Sequence, residues 1–247
     1  MPTDHFPSTH ATWIDAQLTI TEEGECAASG GDAMGRVRAE SARDALRRHL
    51  MERYTEALRA YVRGSSLREV AEVDELVNGF FVDAVARPDF LRDWRSHGGP
   101  LRRWIINGML FHARGMRRDA ARRREHGMGD AAALEAIAPE HNTGAVRAFE
   151  RAWANALLQS VCERVRAALE RDDDPNSFHA FRRHVIDGRT HAEVAGELSL
   201  SVAQVARLVR TVTDQVRAEV VRVLIEEGVH REDAQAELRR IEELLGQ

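Results

Sequence analysis

The chain has 247 residues, 43% hydrophobic and 30% charged, the make-up of a water-soluble protein that can bury one large core or two small ones. No apolar run is long enough to span a bilayer, and the start, MPTDHFPSTHATW, lacks the basic-then-apolar pattern of a secretory leader; a cytoplasmic protein without membrane contact is expected. Cys26 and Cys162 stand far apart with no paired spacing, which argues against a disulfide framework or a zinc knuckle, and the formal charge of −5 argues against a protein that simply coats DNA.

Charge is unevenly placed. Every one of the 35 basic residues is arginine, the mark of a coding preference. Residues 1–40 carry seven acids against two arginines, residues 87–124 carry eleven arginines against three acids, and 223–247 is acidic again. An acidic chain with one strongly basic segment expects two kinds of partner, one of them a polyanion.

In chain order, residues 1–40 are rich in Gly, Ser and Thr and read as a flexible N-terminal arm, apart from an apolar patch at Trp13, Ile14 and Leu18. A helix is predicted over 41–63, where Leu46, Leu50, Tyr54, Leu58 and Tyr61 recur at intervals of three and four, and Gly64-Ser65-Ser66 ends it. A second helix is predicted over 70–86, with Val73, Val77, Phe80 and Ala84 on its apolar side. Pro88 and SHGG (96–99) mark an interrupted connection, and Pro100 opens a third helix where a missing amide costs nothing. Its second half carries six arginines between 114 and 124 with a single acid, Asp119. Some of these can serve the helix dipole, but so many like charges call for phosphates to offset them. Trp94, Trp104 and Phe111 lie close by; aromatics beside a basic track can stack on unpaired bases, although tryptophans in apolar helices are usually core, and Trp104 reads that way.

Residues 126–147 lose periodicity and read as a linker. It resumes at Phe149, Trp153, Leu157, Val161 and Val165 and breaks at DDDPNS (172–177). In GRTHAEVAGELSLSVAQVARLVRTV (188–212), Thr190-x-x-Glu193 and Ser201-x-x-Gln204 are two capping boxes within a dozen residues. Val194, Ala195, Leu198, Leu200, Val205 and Leu208 supply the apolar set of a helix-turn-helix, with Ser199 where the turn favours glycine. The far face of its second helix offers Ser201, Ala203, Gln204, Arg207, Arg210 and Thr211 to a major groove. A plain helical hairpin is the simpler alternative. The last segment, 226–247, is an amphipathic helix with Leu238, Ile241 and Leu245 on one side. Acid pairs such as Glu226-Glu227 read as solvated surface. The histidines show no ligand spacing, and no phosphate loop or nucleophile motif is present, so neither an enzyme, nor a cofactor, nor a metal site is expected.

The expected fold is therefore all-α: two small helical domains, 41–125 and 148–225, joined by a flexible linker at 126–147, the second containing the helix-turn-helix. This order resembles bacterial RNA polymerase sigma factors of the extracytoplasmic-function group, in a variant with N- and C-terminal extensions. The match lies in EVDELVNGFFVDAV (72–85), GPLRRWIINGMLFHARGMRRDAARRRE (99–125) and FRRHVIDGRTHAEVAGELSLSVAQVARLVRTV (181–212). The resemblance implies that 72–85 docks on the clamp coiled coil of the largest subunit of core RNA polymerase through Asp74, Glu75, Leu76, Asn78, Phe80 and Phe81. It implies that 99–125 opens the minus-ten element of promoter DNA, with Asn107, His112, Arg114, Arg117, Arg118, Arg122, Arg123 and Arg124 as candidates, and that the helix-turn-helix reads the minus-thirty-five element. An anti-sigma factor is a further expected partner. Thr213 and Asp214 depart from the basic second half usual in the family's recognition helix, which supports one alternative, a sigma-like interaction module without promoter activity; a stand-alone helix-turn-helix regulator is the other.

Overall fold

The computed structural model describes residues 10–28, 32–85, 87–124 and 143–246, and among them every regular element is helical. The helices are α1 (His10–Ala28), α2 (Ala33–Arg63), α3 (Val73–Phe80), α4 (Pro88–His97), α5 (Leu101–Arg124), α6 (Thr143–Arg171), α7 (Pro175–Phe181), α8 (His191–Leu198), α9 (Val202–Glu226) and α10 (Ala234–Leu245). No described helix is long and apolar enough to cross a membrane.

The predicted stripe on α2 is the axis of the molecule. Leu46, Leu50, Tyr54, Leu58 and Tyr61 are all buried, and Asp32 caps the helix by accepting the Met34 amide at 3.0 Å. The helix begins eight residues before the expected position. Residues 10–28, expected within a flexible arm, form α1 instead. Its Ile14 and Leu18 are buried, Trp13 packs on His49, and Glu22 pairs with both Arg92 and Arg95 of α4. Gly24 allows this close approach, because a Cβ there would lie 2.5 Å from the Ala39 Cβ.

One apolar cluster runs from Ile14 through α2, α3, α5, α6 and the second half of α9 to Ile241 of α10. Phe149 and Trp153 of α6 are fully buried; Phe149 stacks on Tyr54 and meets Tyr61 edge-on, each at 6.4 Å between ring centres. Each such side chain contributes ~1.5–3 kcal/mol of burial. Periodicity identified the faces that need cover but could not say which element supplies it. Only Ala180, Val194, Ala195, Val205 and Val209 form a second, smaller cluster, beneath α8 and α9. Of the expected linker, 126–142 lies outside the described residues, and 143–147 belongs to α6.

Polar groups also cross between the two halves. Glu226 and Glu227, expected on the surface, are 0% and 3% exposed. The Glu227 carboxylate accepts from the Tyr54 hydroxyl at 2.8 Å and from the Trp153 indole at 3.3 Å, and pairs with Arg53 at 3.5 Å. Burial and the neighbouring Glu227 charge push the Tyr54 phenol well above its ordinary pKa, which keeps it a donor. Arg102, buried in the first turn of α5, pairs with Glu150 at 3.3 Å and with Glu237 of α10, and lies 4.7 Å from the centre of the Trp153 ring. Buried charges must be paired in this way.

Candidate nucleic-acid interface

The two predicted capping boxes are both formed. Thr190 Oγ1 accepts the Glu193 amide at 3.3 Å while Glu193 accepts the Thr190 amide at 2.8 Å. Ser201 Oγ accepts the Gln204 amide at 3.2 Å, and Gln204 Oε1 accepts the Ser201 amide at 2.8 Å. Between them Ser199 adopts the left-handed conformation (φ 55°, ψ 38°), which costs a residue with a Cβ ~1–2 kcal/mol. The chain thus makes a sharp turn over Ser199-Leu200-Ser201, and Leu198, Leu200 and Leu208 close the small cluster from the rim.

Ser201, Ala203, Gln204, Arg207, Arg210 and Thr211 all face solvent on α9. Neither Arg207 nor Arg210 has an acidic partner among the described residues. Gln204 is more restricted than the sequence suggests: its oxygen accepts the Ser201 amide in the cap, which leaves its NH₂ and one oxygen lone pair to meet a base. Thr213 turns inward and donates to the Val209 carbonyl at 2.8 Å, whereas Asp214 stays exposed. Nearby arginines are structural. Arg183 forks onto Glu197 at 2.8 and 2.9 Å and reaches Asp187 at 2.9 Å.

On α5, Asn107, Phe111, Arg114, Arg118 and Arg122 follow one another at steps of three and four and so share a face. Phe111 is 68% exposed, and the Arg114 guanidinium sits 5.7 Å from its ring centre. The other two aromatics beside the basic track are engaged inside. Trp94 is buried and donates to the Gly99 carbonyl at 2.9 Å; Trp104 is half-buried and donates to the Phe90 carbonyl at 3.0 Å. Arg117 is half-buried, Arg122 is exposed near Asp119, and the side chains of Arg123 and Arg124 lie outside the described residues.

His112 does not join this face. Its ring packs on Phe80, its Nε2 is buried without a hydrogen-bond partner, and burial holds its pKa below the ordinary value, so it is neutral at pH 7. Leu76, Phe80 and Phe81, expected to touch polymerase, are likewise buried in the main core. Helical phase explains this burial: they lie on the same side as Val73, Val77 and Ala84. Asp74, Glu75 and Asn78 are exposed, with Asp74 accepting from Arg59 Nε at 2.7 Å, and Val82 extends that outer face with 61% exposure.

Val82 was missed as a site candidate, and Phe111, noted beside the basic track, was not placed among the site residues. Each is an apolar residue placed in phase with polar neighbours, and that misplacement is the signal that could have found them. No group of three or more His, Cys, Asp or Glu among the described residues is arranged to hold a metal. No family model, curated protein or solved structure matches the chain.

Proposed function

We propose that this chain is an alternative sigma factor that binds core RNA polymerase and directs promoter recognition and opening. The observation that carries the reading is the α5 face, where one exposed aromatic stands in register with Asn107, Arg114 and Arg118. An aromatic platform flanked by cations suits an unpaired base joined to its phosphates. Arg207 and Arg210 on α9 suit duplex DNA, read by a helix-turn-helix built from α8, the Ser199 turn and α9. The exposed acids Asp74 and Glu75, with Asn78 and Val82, supply a separate protein-facing patch that DNA would repel, suited to the polymerase clamp.

The reading without promoter activity draws support from the same helix: Gln204 is tied to its cap and Asp214 is exposed where phosphate would lie. Affinity purification with core RNA polymerase and run-off transcription separate the readings. A sigma factor forms a stoichiometric complex and starts transcripts at a defined site; a stand-alone regulator does not bind the core, and an interaction module starts none. Arg207→Ala should lower transcription and reduce the salt slope of duplex binding by about one, leaving polymerase binding intact. Loss of both together would contradict the assignment.

A further inference from the structure

The acidic end of the chain docks on the first turn of the helix that carries Phe111. That turn has no cap of its own: it follows Gly98 and Gly99, both at positive φ, and Pro100. Its leading amide, Leu101 N–H, donates at 2.8 Å to the backbone carbonyl of Glu227, more than a hundred residues further along. The next residue, Arg102, is gripped by Glu150 and by Glu237 of α10. Charge divides by half: the buried cations Arg53 and Arg102 come from α2 and α5, and the carboxylates that receive them come from α6, from the end of α9 and from α10. Beyond this turn, Ile105, Ile106, Met109 and Leu110 pack in the main core, so the first turn and the core together set how Asn107, Phe111 and Arg114 meet solvent.

We infer that Glu227 and Glu237 are positioning residues for the α5 single-strand face, and that the acidic C-terminal segment braces this face rather than masking it. The inference rests on the proposed role of α5 in holding unpaired bases. An inhibitory tail would cover a DNA-binding surface; this segment leaves Asn107, Phe111, Arg207 and Arg210 exposed and grips the opposite, buried end of α5.

The test uses the full chain with a short dye-labelled single strand and the matching duplex. Glu237→Ala should weaken single-strand binding about tenfold and leave duplex binding through α9 unchanged. Glu237→Gln, which keeps an oxygen for Arg102, should restore most of that loss. Unchanged single-strand binding in Glu237→Ala, or an equal fall in both affinities, would overturn the inference. Should the wild-type chain bind no single strand, the proposed role of α5 fails, and amide hydrogen exchange decides about the brace itself. Faster exchange confined to residues 101–106 in Glu237→Ala supports it, and unchanged exchange refutes it.

Discussion

Around Tyr54, Phe149 and Trp153 the buried side chains are large and come from helices distant in sequence, whereas beneath α9 the buried set is Ala180, Val194, Ala195, Val205 and Val209. The first region is held by area. The second has little area to bury and is held by short-range polar geometry: two capping boxes, the Arg183–Glu197 fork and the Arg189–Glu193 pair at 3.3 Å.

This contrast can be broken from the larger side first. Phe149→Ala leaves a cavity between Tyr54 and Tyr61 and should cost ~3–5 kcal/mol, read as a lower midpoint for the whole unfolding transition. Val205→Ala should cost ~2 kcal/mol and act locally, speeding amide exchange in α8 and the start of α9 while exchange along α2 stays slow. Equal slowing or speeding in both regions would show a single cooperative unit.

Acid should separate the two regions as well. Burial depresses the His112 pKa below its ordinary 6.5, so its neutral form contributes stability to the main core above that value and loses it as pH falls through the lower folded value. The Thr190 amide and hydroxyl hold the Glu193 pKa below its ordinary 4.5, so the α8 cap is fully effective above 4.5 and fails only in stronger acid. Hydrogen exchange followed downward in pH should therefore loosen α3 and α5 before α8, and His112→Phe should remove the first step. The smallest effect is a gain: Ser199→Gly relieves the left-handed turn and should stabilise the α8–α9 unit by ~1 kcal/mol, seen as slower exchange at Leu200.

The small region was largely legible in the sequence because its determinants lie within a dozen residues. A hydroxyl and a Glu or Gln three positions apart define a cap wherever they occur, and the two boxes formed at the expected residues. The α2 stripe was legible for the same reason of fixed spacing. What stayed hidden depends on distance along the chain. Ile14 and Leu18 are four apart and offered a helical signal, but Gly- and Ser-rich neighbours outweighed it. The acids Glu226 and Glu227 look like solvated charge until Arg53, Tyr54 and Trp153, each far away in sequence, are brought around them. In the candidate site, Asn107, Arg118, Arg207 and Arg210 face solvent as expected, while the inward turn of His112, Leu76, Phe80 and Phe81 follows from helical phase that residue type alone does not reveal.

The bond from Leu101 to the Glu227 carbonyl has a consequence for synthesis. A ribosome releases the chain from its N-terminus, so α5 emerges long before the carbonyl that completes its first turn. The bond itself can form only after residue 227 has left the exit tunnel, so the arginine-bearing helix gains this anchor late in the birth of the molecule.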